Sequence, residues 1–486
     1  MKKSVISVIG STATGKSDLA VHLAKLFKGE VINADSMQVY KGLDVITNKI
    51  SESDKRGVNH HLMSFLDRDK EYAIPHFMAD STSLINSMAE NDILPVVAGG
   101  THYYIHHLLF ANKLIKNESP ASRSLPDVPS PSYVDIISVL SENDQKLAMK
   151  LPEINEADYD ASDERGVPLY ARLHSILSQI DPPAASRWHI RDFRKVKRSL
   201  EIIWEHGKRR SDIENEQKAQ QDDSLLQTRY KNLVFWVYTD PEVLSKRLER
   251  RVEKMTEKPK QGLLNEIEEM RALENEFRVG GEQDYTRGIF QAIGQCESRY
   301  KEFDAYFKAT NSQDRDVAFK NGLELMKIAT RQYATKQLKW IQNKLIPEIL
   351  AHQESAQKVG NPSSVYVYMV DSSDISQWDE RVTKPASEIL EKFLKDDTLP
   401  DPRTYSETAN KLFAKQSLQA VSNAERGYRK VICEVCTTDP HNPVMLGEGL
   451  EYENHLRSKA HKAKTRPKAT RPSDAEIARL RALKNR

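Results

Sequence analysis

Gly10-Ser11-Thr12-Ala13-Thr14-Gly15-Lys16-Ser17 fits the pattern G-x-x-x-x-G-K-[ST] and stands between an apolar β-branched run and a helical stretch. That context suits phosphate binding. Glycines let backbone N–H groups turn inward, the helix start adds a positive end, Lys16 supplies a cation, and the Ser17 hydroxyl can ligand Mg2+. The motif leaves open whether the polyphosphate belongs to a nucleotide. A second set lies near the other end: Cys433-x2-Cys436-x18-His455-x5-His461. Two thiolates and two imidazoles suit tetrahedral Zn2+, and so short a module needs the metal in order to fold. His441 falls in a Pro-rich turn and is set aside. Two further segments are chemically loaded, Ala34-Asp35-Ser36-Met37-Gln38 and Gly99-Gly100-Thr101-His102. On position alone Asp35 can be the Mg2+ carboxylate of a nucleotide hydrolase, and Thr101, after two glycines, can be merely the cap of the next helix.

These residues need a scaffold. Val5–Ile9, Glu30–Asn33, Ile93–Ala98, Leu233–Tyr238 and Val365–Val370 read as buried strands separated by helical stretches. That is the pattern of a parallel α/β sheet, whose ligands sit beyond the carboxyl ends of its strands. The expected layout is a first core part over 1–112, a helical insertion over 113–185 opened by the Pro-rich stretch Glu118–Ser132, and a second core part over 186–400. A polar linker over 401–424, a zinc finger over 425–465 and a basic tail over 466–486 follow. Leu263–Phe277 reads as a helix with one buried face. Leu323–Ile346 reads as a long helix ended by Pro347, and 351–364 as a polar loop.

The chain has 486 residues, 39% hydrophobic and 29% charged, enough to build several cores. Its 72 Lys+Arg against 70 Asp+Glu give a formal charge of +2, yet residues 455–486 hold eleven Lys/Arg and two acids. That local excess is what a nucleic acid would attract. Three cysteines exclude a disulfide framework. No apolar run approaches the ~20 residues of a membrane span. The short lead-in to the first strand leaves no room for a long targeting peptide, so the expectation is a cytoplasmic protein with additional nuclear and mitochondrial pools.

The phosphate loop, Ala34–Asp44, His60-His61-Leu62 and Gly99–Tyr104 together resemble the tRNA dimethylallyltransferase family. The likeness continues in Lys195–Ile203 with Gly207-Lys208, Arg247–Met255 with Gly262-Leu263, Tyr285–Gly294 and Thr330–Gln337. It spans residues 4–345; Gln295-Cys296 departs from the family's usual aromatic and lysine. The resemblance implies a P-loop NTPase-like parallel sheet core with a helical insertion domain and, as in eukaryotic members, a C-terminal C2H2-type zinc finger. It implies transfer of a dimethylallyl group from dimethylallyl diphosphate to N6 of an adenine beside the tRNA anticodon. By the same resemblance Asp35 accepts a proton, Thr101 assists, and Lys16 and Arg251 face the diphosphate held by residues 10–17 with Mg2+. The choice of Arg251 over Arg247 and Arg250 rests on that likeness alone. The tRNA would meet Asp35, Ser36, Met37 and Gln38 around an extruded base, and Arg194, Lys195, Lys197 and Arg198 along its phosphates. The expected protein is a monomer with structural Zn2+ and no membrane partner. An adenylate isopentenyltransferase or a nucleotide kinase is the alternative.

Overall fold

A computed structural model describes residues 3–111, 125–154, 158–219, 228–257, 262–276, 278–279, 282–283, 301–358, 360, 362–414 and 429–465. The Tyr285–Gly294 and Gln295-Cys296 segments, residues 118–124 of the Pro-rich stretch and the basic tail lie outside them. The chain divides into two compact units, 1–123 with 214–424, and 124–213 with 425–486.

The first unit is built on six parallel strands: β1 (Ser4–Ile9), β2 (Gly29–Asn33), β3 (His60–His61), β4 (Leu94–Ala98), β5 (Lys231–Tyr238) and β6 (Val365–Asp371), in the order β3-β2-β4-β1-β5-β6. β1 lies inside the sheet, which explains its apolar run. Val5 and Ile9 pack on one face, Ile6 and Val8 on the other, and all four are fully buried. Helix α1 (Lys16–Leu26) covers one face through Leu19, Ala20 and Leu23. Helices α2 (Ile74–Glu90) and α3 (His102–Leu109) cover the other through Phe77, Ile105 and Leu108. Beyond β5 come α4 (Pro241–Thr256), α5 (Leu263–Glu276), α6 (Ser312–Trp340), α7 (Ile346–Lys358) and, after β6, α8 (Lys384–Leu394).

The helix expected to stop at Pro347 does not stop. A π-helical turn, Ile341–Leu345, joins α6 to α7, and Pro347 sits in the first turn of the latter. A proline has no N–H and its ring crowds the carbonyl one turn back; a wider turn just upstream accommodates both. Most of the stretch read as a polar loop is therefore α7, whose Ile349 and Leu350 are buried. Residues 401–414 are likewise more than a linker. Ala409 and Phe413 enter the core, and the Phe413 ring lies 6.4 Å from that of Trp236.

The second unit has its own core of Tyr133, Leu173, Ile176, Leu177, Phe193, Val196, Leu200 and Trp204. The basic helix Phe193–His206, placed in the central core by the sequence reading, belongs here because its apolar stripe faces this cluster. The C-terminal module is β7 (Lys430–Ile432) antiparallel to β8 (Met445–Gly447), followed by helices Leu450–Arg457 and Lys459–Thr465. It docks on the insertion. Lys430 N donates to Ser186 O at 2.6 Å, Ile190 N to Met445 Sδ at 3.3 Å, and Met445 packs on the insertion core. Among the described residues, no helix is long and apolar enough to cross a membrane.

Candidate active site

The carboxyl ends of β1, β2 and β4 open on a cavity of about 730 Å3. The phosphate loop curls there because three of its residues take left-handed or glycine-favoured backbone angles: Gly10 at φ 155°, Ala13 at 65° and Gly15 at 92°. Thr14 Oγ1 donates to Ser11 O at 3.0 Å and closes the curl from within. Lys16 Nζ donates to Ser11 O at 2.6 Å. Burial depresses its pKa to about 7, against a favourable pull from Asp35 and with a smaller push from the Arg251 charge. An anion in the loop would restore the full charge of this lysine.

Asp35 follows β2 and is half-buried at the cavity wall. Its Oδ1 accepts from Met37 N at 3.0 Å, and its own N–H reaches Asn33 Oδ1 at 3.2 Å. A Cβ on Gly100 would lie 2.9 Å from Asp35 Oδ2, so the second glycine after β4 lets this oxygen approach. Thr101 is not merely a cap. Its hydroxyl accepts from Ser36 N at 2.9 Å and donates to Ser36 Oγ at 3.2 Å, tying the two strand ends together. Gln38 lines the cavity, with its amide nitrogen committed to Thr47 O and Asn48 O at 3.3 and 3.0 Å. Only its carbonyl oxygen remains to accept from a further donor.

Of the three arginines on α4, Arg247 and Arg251, one turn apart, line the cavity, whereas Arg250 is exposed. Arg251 Nη1 donates to Thr12 Oγ1 at 2.7 Å. Arg247 is tied instead to Ser372 O and Ser373 O, at 2.5 and 3.1 Å.

Several site residues carried no role in the sequence reading. Gln337 on α6 bridges the two phosphate-side loops: its Oε1 accepts from Thr12 N at 2.8 Å and its Nε2 donates to Gly100 O at 3.0 Å. Tyr333, one turn earlier, also lines the cavity. His102 Nε2 lies 3.0 Å from Gly10 O, and burial holds its pKa down near 3, so the ring is neutral and can donate to that carbonyl. Glu266 on α5 accepts from Val45 N and Ile46 N at 2.8 and 2.7 Å and fixes the loop that supplies Leu43, Ile46 and Thr47 to the wall. Burial raises the Glu266 pKa, partly offset by those two donors. The signal for Gln337 was present in the Thr330–Gln337 segment, but without the fold it had no partner.

In the second unit the four expected ligands converge, with Cys433, Cys436, His455 and His461 presenting atoms all within 4.8 Å of one another. Both sulfurs lie 3.4 Å from His461 Nδ1. Such a group can hold a metal ion, and its soft, mixed N/S donors match zinc. On the basic helix, Lys195 pairs with Asp192 at 2.5 Å, Lys197 with Glu201 at 2.5 Å, and Arg198 with Glu201 and Glu205 at 3.3 and 3.2 Å. Arg194 shares that helix. Lys195, Arg210 and Arg187 gather around the Trp188 ring at 5.2, 5.3 and 5.6 Å.

Residues 38–344 match the family model described as IPP transferase. A tRNA dimethylallyltransferase of Schizosaccharomyces pombe is 36% identical over 97% of both chains, and one of Homo sapiens is 31% identical over 97% of this chain and 88% of its own. A solved eukaryotic dimethylallyltransferase, described as acting on tRNA, superposes with a TM-score of 0.70 at 28% identity, covering 99% of this chain and 98% of that one. By its match to that family model and to these relatives over nearly its whole length, this chain belongs to the IPP transferase family.

Proposed function

We propose that the protein transfers a dimethylallyl group from dimethylallyl diphosphate to N6 of an adenosine beside the anticodon of tRNA. The observation that carries this reading is one cavity in which a phosphate loop, two arginines and a positioned carboxylate face common space. The full-length similarity to enzymes named tRNA dimethylallyltransferase supports it.

The N6 lone pair attacks the allylic carbon while the bond from that carbon to the diphosphate oxygen breaks, and the electron pair leaves on diphosphate. Lys16, Arg251 and the inward N–H groups of residues 10–17 meet that growing charge. Asp35 takes the proton from N6. Its Oδ1 is oriented by Met37 N–H, which leaves Oδ2 as the basic oxygen. Thr101 positions the Asp35 segment through Ser36 and does not itself exchange a proton. Ser17, exposed at the start of α1 on the cavity, offers the hard oxygen that Mg2+ requires, and that ion would neutralise diphosphate charge when bound. Gln38 Oε1 accepts from the extruded base. In the second unit zinc holds the C-terminal module, and the cations around Trp188 and on Phe193–His206 meet tRNA phosphates.

The test offers the enzyme unmodified tRNA and free AMP as alternative acceptors, with dimethylallyl diphosphate and Mg2+. Prenylated tRNA with unreacted AMP is expected. Prenylated AMP, or ATP consumption without a prenyl product, would overturn the assignment.

A further inference from the structure

The sheet order sets two sides on the phosphate loop. Asp35 and Thr101 follow β2 and β4, which lie to one side of β1; β5 and β6 lie to the other. On that second side the chain leaving β6 turns back over the loop. Ser372 N donates to Tyr238 O at 2.8 Å, and Arg247 grips Ser372 O and Ser373 O. Asp374 Oδ1 caps the next turn by accepting from Ser376 N at 3.0 Å. This turn and the short 3-10 helix after it deliver Ile375 and Trp378 to the cavity. The Trp378 indole rests directly on Gly15: a Cβ there would stand 2.7 Å from its Cζ3.

A diphosphate threaded through the loop therefore has one end toward Asp35 and the other toward Trp378. In a prenyl diphosphate the reacting carbon takes the Asp35 end and a bare phosphate takes the other. A nucleoside triphosphate set to donate its terminal phosphate toward Asp35 would trail its ribose and base from the opposite end. That space is filled by an indole.

We propose that Trp378, backed by Ile375, is a specificity residue that keeps nucleotides out of the phosphate loop and reserves it for diphosphates bearing nothing on their far phosphate. The inference rests on the prenyl-diphosphate reading of the site. It uses exclusion, which discriminates against an abundant competitor without strengthening the wanted ligand.

The test measures binding without catalysis, by displacement of radiolabelled inorganic diphosphate from the full-length protein in Mg2+, comparing wild type with Trp378→Ala. Competitors are ATP and unlabelled diphosphate. The affinity for ATP relative to diphosphate should rise about tenfold or more in the variant. An unchanged ratio would overturn the proposal. So would a fall in ATP affinity, which would make the indole a stacking platform for a base. Should Trp378→Ala lower the melting temperature enough to obscure binding, Trp378→Leu, which is smaller than tryptophan but still apolar, must show the same shift in ratio. Because no turnover enters, failure of the prenyl-transfer reading would appear separately, as absence of product from wild-type enzyme.

Discussion

Replacing Gln337 by leucine keeps roughly the same volume on α6 and removes both of its hydrogen bonds. The amide connects Thr12 N–H with Gly100 O, at 2.8 and 3.0 Å, and its residue is only 6% exposed. Leucine leaves a donor in the phosphate loop and an acceptor in the glycine turn facing an apolar side chain. A polar group stranded in this way costs about 1–3 kcal/mol. If that cost falls on the organisation of the loop that meets the diphosphate, kcat/KM should drop by about five- to 150-fold. Gln337 touches no reacting atom, so it is a positioning residue. The loss should lie mainly in KM for the donor, with a smaller change in kcat. Steady-state prenyl transfer at varied donor concentration, beside a thermal melt, measures the split. Gln337→Asn, which keeps the amide on a shorter arm, should recover little, whereas Gln337→Glu should be worse than leucine because it adds a negative charge near the diphosphate. A Gln337→Leu enzyme that melts like wild type and keeps kcat/KM within about twofold would refute the bridge.

Asp35→Asn keeps the acceptor for Met37 N–H but cannot take the N6 proton, so single-turnover transfer should slow by about 10²-fold or more while donor and tRNA binding persist. Lys16→Met and Arg251→Ala should each weaken transfer, and the double variant should lose less than the product of the two because both cations face one diphosphate; rates over the four-enzyme cycle decide this. Cys433→Ser should release zinc, as a metal assay would detect, and amide exchange should quicken near Ser186 and Ile190 as well as in the module, since Lys430 and Met445 dock there. Protection in β1 and β5 should be unchanged.

The reach of the sequence reading followed how local each signal was. Five sheet strands and the phosphate loop were legible because a buried parallel strand is a continuous apolar run and the loop carries its motif within eight residues. β3 was not, because it is two histidines held only by the register Val31–His60 and Ile32–His61. The convergence of Cys433, Cys436, His455 and His461 could be read from spacing. The docking of their module could not, because Met445 looks like any loop methionine until Ile190 is beside it. Arg251 and Arg247 are equivalent in sequence and separate only when Thr12 and Ser372 appear beside them. Gln337 and Trp378 meet the phosphate loop across more than 300 residues of chain, a distance over which no periodicity or motif extends. Pro347 misled for a physical reason: the penalty for proline in a helix was real, and the π turn before it absorbed it.

The most direct test of the central claim is a stoichiometric one. Enzyme, unmodified tRNA, Mg2+ and dimethylallyl diphosphate labelled in the prenyl carbon are mixed without nucleotide, diphosphate release is followed, and the tRNA is digested in parallel to nucleosides and, with a base-specific ribonuclease, to oligonucleotides for mass spectrometry. One diphosphate should be released for each label incorporated, with all label in N6-dimethylallyladenosine from the position beside the anticodon. Diphosphate released without labelled nucleoside, or label found on any other base or atom, would contradict that claim.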